Sequence, residues 1–245
     1  MKLPDQEKAA QKAAFRAMSP AGKLDHIWTY YKWPILLGLI ALLILGSTLH
    51  RQLTKKEPVL YAALANVAVG SDLESSLTAG FLEATDVDSR KAEVYLYREL
   101  YLSEDADQLN HEYAYASRMK LMGAIQSQKL DVLVMNREAY DLLSESGYLL
   151  ELDALLEADP ALAEQTAPWL IANDVIVSDN GLDWTLGEAE THEVVTRSEC
   201  NGIDLSELPL FQKAGFEEPV YLGVIANSPR LPAALQYVQY LLEAR

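Results

Sequence analysis

One cysteine in 245 residues, Cys200, rules out an internal disulfide. The thiol is read as buried and inert, with a bridge to another chain as the other option. Histidine is nearly as scarce, with four in the chain. His111-Glu112 and His192-Glu193 open like zinc-protease motifs, but Tyr115 and Thr196 stand where the second histidine is needed. Without two imidazoles on one helix face that metal site does not form. The chain also lacks a Gly-x-Ser-x-Gly elbow, a Gly-x-x-x-x-Gly-Lys phosphate loop and an Asn-x-Ser/Thr acceptor. Asp174, Asp179 and Asp183 do not follow calcium-loop spacing and read as a solvated acidic hairpin. No cofactor is expected, and the reading is non-enzymatic. Basic residues are in deficit too, 20 Lys and Arg against 36 Asp and Glu. Nucleic acid, which requires a basic footprint to release counterions, is excluded as a partner.

What the sequence has is one long apolar run. From Pro34 to Leu49 there is no charge, and those sixteen residues make roughly 24 Å of helix. Nine Leu and Ile between Ile35 and Leu45 favour insertion by roughly 3 to 5 kcal/mol in sum, and Lys32 can snorkel from the edge. Trp28, Tyr30, Tyr31, Lys32 and Trp33 collect at the N-terminal side, where amphipathic rings sit among headgroups. A transmembrane helix over 27–49 is therefore expected, with a basic arm at 1–26 and a polar linker at 50–57. A cleaved signal peptide fits poorly, because the basic region is over thirty residues long and Gly46-Ser47-Thr48 makes a weak cleavage site. Lipid attachment is closed by the absence of a nearby cysteine.

Charge divides at the same place. Residues 1–57 carry a net charge of +5 and the remainder −21. Six basic residues precede the span and three follow it, which directs the N-terminus into the cytoplasm and 58–245 to the outer side of the cell membrane. Those 188 residues suffice for one domain with a proper core.

Along that portion, Val59–Val67 reads as a strand covered on both faces. Ser71-Asp72-Leu73-Glu74 has capping-box spacing and opens a helix with Leu73, Leu77 and Phe81 on one side. Lys91–Tyr97 follows as a second strand, completing a βαβ unit. A helix over 105–128 is expected to pack Tyr115, Met119, Met122 and Ile125 against the sheet. Asp131–Met135 is a third strand, after which Asn136 caps the next helix, and Gly147 ends that helix. Asp179-Asn180-Gly181 predicts a hairpin between Val175–Val177 and Leu182–Leu186, within a β-rich insertion at 161–215. Val220–Ala226 returns as a buried strand, and a last helix beginning near Ser228-Pro229 carries Leu231, Leu235, Val238 and Leu242 as its apolar stripe.

The order of elements resembles extracytoplasmic solute-binding proteins of the type II periplasmic-binding class. The resemblance rests on Met119 to Leu155, where a helix leads through Gln128-Lys129-Leu130-Asp131-Val132 into a strand, a helix and Gly147-Tyr148-Leu149-Leu150-Glu151-Leu152-Asp153. Val224-Ile225-Ala226-Asn227-Ser228-Pro229 is similar to the family's closing strand and helix. Tyr30-Tyr31-Lys32-Trp33 before a single span also resembles membrane-anchored proteins of Gram-positive envelopes. The resemblance implies an α/β fold: an N-terminal transmembrane helix, then a reduced type II domain with a mostly parallel sheet. Its second lobe is missing or vestigial, confined to 161–215. It also implies a binding function, for a small molecule or an envelope protein partner.

In open α/β sheets ligands bind beyond the carboxyl ends of the strands, where strand order reverses. For an order 2-1-3 that point lies between the loops after the first and third strands. Gly70, Ser71, Asn136 and Arg137 are the candidate residues, with two helix N-termini suited to an anion or carbonyl. The same residues have a purely structural reading, as helix caps.

Overall fold

The computed structural model describes residues 16–17, 19–53, 55–103, 111–157, 159–179 and 194–244. They fall into two compact units, Met1–Lys55 and Lys56–Arg245. In the first, α1 (Pro20–Leu53) is one helix of 34 residues with Pro34 inside it. Within it Lys32–Leu49 is long and apolar enough to cross a membrane, and none of that window is buried. The helix starts at Pro20, so the turn signal of Ser19-Pro20-Ala21-Gly22 falls at its beginning. It also runs on through the first half of the expected linker, to Leu53. Trp28, Lys32 and Trp33 are exposed; the side chains of Tyr30 and Tyr31 lie outside the described set, as do Ala9–Phe15, whose Ala, Gln and Lys suit a helix on the membrane face.

The second unit is a mixed α/β domain on one six-stranded sheet. Its strands are β1 (Glu57–Ala65), β2 (Ala92–Leu100), β3 (Val132–Met135), β4 (Leu170–Asp179), β5 (Val194–Asp204) and β6 (Tyr221–Val224). They lie in the order β2-β1-β3-β6-β5-β4. The β2-β1-β3 half is parallel; β6, β5 and β4 join antiparallel. The helix after β1 comes in three parts: α2 (Ser71–Ser75), a π-helical turn (Ser76–Gly80) and α3 (Phe81–Ala84). Between β2 and β3 stands α4 (His111–Gln126), and after β3 comes α5 (Arg137–Glu145). Short helices α6 (Asp153–Glu157), α7 (Pro160–Thr166) and α8 (Pro209–Ala214) and the closing α9 (Leu231–Glu243) complete the unit.

Side-chain alternation explains the layering. Leu60, Ala62, Leu64, Val132, Val134, Leu222 and Val224 join one core with Leu77, Phe81 and α9. Ala63, Ala65, Leu133, Met135, Tyr221 and Ile225 face the other way, into a core with Leu121, Ile125, Ala139 and Tyr140. Both faces of the parallel strands are covered, so their sequences read as near-continuous apolar runs. The chain moves from β1 to β2 in one direction and from β2 to β3 in the other. Right-handed crossovers then demand helices on opposite faces, which is where the α2–α3 helix and α4 lie.

Two buried polar nodes lock the sheet. Asp131, fully buried, accepts the Tyr61 N–H (2.8 Å), the Ser228 hydroxyl (2.6 Å) and the Arg230 guanidinium (2.8 Å). Arg230 lies over the Tyr61 ring at 4.6 Å. One carboxylate thus ties the start of β3 to β1 and to the turn after β6. On the opposite half, the Tyr140 hydroxyl donates to Asn201 and the Asn201 amide donates to Ser144 Oγ, both at 2.8 Å. The Ser144 hydroxyl in turn reaches the Asp174 carbonyl at 3.1 Å. Gly202 permits that approach, since a Cβ there would lie 2.7 Å from the Tyr140 ring.

Several expectations shift. Tyr115 and Met119 face solvent, 62% and 54% exposed; α4 instead buries Ser117, Leu121, Ala124 and Ile125. Smaller residues let that helix lie close to the sheet, and the first part of the expected helix, 105–110, is outside the described residues. On α9 the buried face is Ala234, Tyr237, Val238 and Leu241, with Leu231, Leu235 and Leu242 flanking it. Tyr237 can be buried there because its hydroxyl donates to the Leu77 carbonyl at 3.0 Å. Tyr240 donates likewise to Ser76, so two carbonyls of the π turn are satisfied by α9. The expected hairpin partner Leu182–Leu186 lies outside the described residues; among those described, β4 pairs with the eleven-residue β5, in a register that sets Asp179 opposite Val194. These strands of 161–215 continue the common sheet through the pairing of Ile203 with Leu222.

Candidate functional site

A cleft of about 620 Å³ opens at the carboxyl ends of β1, β2 and β3. Its apolar lining comes from Leu64, Val67, Val69 and Leu100, and its polar lining includes Asn66 and Asn136. Two features of backbone shape it. After Ala63 pairs with Tyr97, Ala65 pairs with Leu100, so β2 carries one extra residue at Arg98-Glu99. That bulge puts Glu99 at φ 59°, a left-handed conformation uncommon for glutamate. Asn66 ends β1 at φ 56°. Its side chain donates to the Leu102 carbonyl (2.6 Å) and accepts the Leu102 N–H (2.7 Å), pinning the segment after β2 to the end of β1.

Charge at the cleft is mainly negative. Glu74, Glu99 and Glu138 line it with a single guanidinium, Arg98. Arg98 Nη1 contacts both oxygens of Glu74, at 2.8 and 3.0 Å. Glu99 and Glu138 have no ion-pair partner among the described residues. Tyr101 and Tyr113 stack with centroids 6.4 Å apart and planes 22° from parallel. The Tyr113 hydroxyl donates to the Glu99 carbonyl, holding α4 against the bulge.

Of the four candidate residues, Asn136 alone lines this cleft. Its Oδ1 accepts the Ala139 N–H at 3.1 Å, so it caps α5 as expected. Gly70 is the N-cap of α2, extended and without a side-chain cap bond. Ser71 is therefore the first helical residue rather than the cap, and its hydroxyl turns to Asp72 at 3.3 Å. The capping box does not form. Helix entry one residue early shifts Glu74 out of the position that reaches back, and it takes Arg98 instead. Arg137 is absent from the cleft lining. Its Nε meets Asp141 at 2.8 Å, and its guanidinium lies over the rings of Tyr140 and Tyr221 at 5.6 and 5.9 Å.

The helix N-termini at this end carry their own compensation. Asp72 and Glu74 stand in the first turn of α2, and Glu138 in that of α5. Acidic side chains there offset the partial positive charge that would otherwise attract an anion. The residues missed by sequence reasoning, Arg98, Glu99, Tyr101, Tyr113 and Glu138, left one trace. The regular alternation of β2 breaks after Tyr97, the mark of a bulge.

Cys200 is half-buried, and burial, with Asp153 beside it, pushes its thiol pKa up. No group of three or more His, Cys, Asp or Glu placed to hold a metal occurs among the described residues. Compared with known proteins, the chain matches no family model, no curated protein and no solved structure.

Proposed function

We propose that this chain is a single-pass, membrane-anchored extracytoplasmic binding protein, non-catalytic and built like one reduced lobe of a type II solute-binding protein. The observation that carries the reading is the cleft over the carboxyl ends of β2-β1-β3. It lies where strand order reverses, the position at which open α/β sheets take small molecules. The apolar window Lys32–Leu49 supports a membrane anchor. The excess of basic residues before it supports a cytoplasmic N-terminus and an exterior domain.

A second reading, an envelope assembly component acting as a protein-interaction module, draws on a different observation. The outer part of the β4–β5 hairpin exposes Ile176, Val177, Val194 and Val195, and β4 is an edge strand. Two measurements test these readings. Protease added to intact cells degrades the domain if it is exterior; a domain that survives until lysis refutes the topology. Ligand screening of the full chain by thermal shift, in phosphatidylcholine nanodiscs, tests binding. Stabilisation abolished by Ala68→Trp, which sets a bulky ring at an exposed position of the cleft lining, supports the first reading. Stabilisation insensitive to that change refutes it.

A further inference from the structure

Resting on the reading of the cleft as a binding site, we infer that its ligand is a cation: an amine or guanidine joined to an apolar or aromatic body. Four observations converge. The only guanidinium of the lining, Arg98, is already held by both oxygens of Glu74 and is not left to receive an anion. Glu99 and Glu138 remain in the lining without an ion-pair partner among the described residues. The two helix N-termini nearest the cleft are offset by acids of their own first turns. Next to the carboxylates, the stacked Tyr101 and Tyr113 rings and the apolar side chains of Val67, Val69 and Leu100 offer a surface for a flat or aliphatic group. A carboxylate with an aromatic face is the pairing that recognises an organic ammonium. An anionic ligand would meet two uncompensated like charges.

The bulge gives the arrangement its geometry. Its extra residue places Arg98 and Glu99 together in the lining, where regular alternation would send successive side chains to opposite faces. The Tyr113 hydroxyl donates to the Glu99 carbonyl and so holds the left-handed backbone from α4.

The test uses the full chain in phosphatidylcholine nanodiscs with three probes of one shape: benzylamine, an ammonium at neutral pH; benzyl alcohol, neutral; and benzoate, an anion. Saturation-transfer NMR titrations should rank them in that order, with benzylamine about ten-fold tighter than benzyl alcohol. E99Q combined with E138Q should remove the preference while leaving thermal unfolding unchanged, because both side chains are exposed. E157Q combined with E164Q removes the same charge from exposed sites elsewhere and should leave the preference intact. If that control weakens benzylamine as much as the cleft variant does, the amine is drawn by the domain's overall acidity and the inference falls. If benzyl alcohol or benzoate binds as well as benzylamine, and A68W abolishes it, the cleft is a binding site but its cation preference is wrong. If none of the three binds, the cleft reading and this inference fail together.

Discussion

The sheet is made of two unlike halves. In β2-β1-β3 the strands β1 and β3 are largely buried, with Leu60, Ala63, Val132, Leu133 and Met135 fully or nearly excluded from solvent. In β5 burial is confined to the part from Glu199 to Ile203 and in β4 to Val175, and the outer part is exposed, with Val177 at 61% and Val195 at 48%. Hydrogen bonding is continuous in both, yet only the first half is clamped between two apolar cores. A strand ladder alone makes an extension; burial on both faces makes a platform, and the cleft stands at the end of that platform.

The difference can be broken by mutation, starting where the effect is greatest. Asp131→Ala removes the acceptor of three donors and strands Arg230, so unfolding free energy should fall by about 3 kcal/mol or more by chemical denaturation. Leu133→Ala, in the clamped half, should cost about 2 to 4 kcal/mol. Gly202→Ala drives a methyl into the Tyr140 ring and should cost about 1 to 3 kcal/mol while breaking the Tyr140–Asn201–Ser144 chain. Tyr237→Phe leaves the Leu77 carbonyl without its phenol, a loss of about 1 to 2 kcal/mol. Val177→Ala, on the projecting arm, should change stability by less than about 0.5 kcal/mol. A loss at Val177 equal to that at Leu133 would erase the distinction between the halves.

Tyr237 adds a pH signature. Burial raises its phenol pKa far above the ordinary 10.0, and Tyr140 and Tyr240 shift the same way for the same first cause. Above pH 10 the unfolded chain loses these protons and the folded one keeps them. Stability from this source is complete below pH 10 and is lost as pH climbs beyond it. Denaturation midpoints measured from pH 8 to 11 should therefore fall at the alkaline end, and fall less steeply in Tyr237→Phe.

The same division governs what the sequence discloses. Strands buried on both faces announce themselves as apolar runs, so β1, β3 and β6 were readable from Val59–Val67, Asp131–Met135 and Val220–Ala226, while the 2-1-3 order entered only as a condition that the sheet meets. The arm was readable only in part: Val175–Val177 shows as a strand, its pairing with β5 does not, and the turn expected at Asn180-Gly181 lies outside the described residues. The location of the cleft followed from topology, but its chemistry did not. Asn136 caps and lines it, while Arg137 is drawn to Asp141 and to two tyrosine faces that only folding brings near. Glu99 entered through a bulge, which shows in sequence only as a lapse in alternation.

The central claim, that binding belongs to the platform and not to the arm, is most directly tested by amide hydrogen exchange on the full chain with and without benzylamine. The account predicts slowed exchange in 66–74, 98–101 and 136–138, with 175–179 and 194–197 unchanged. Slowing confined to the two arm segments would contradict it.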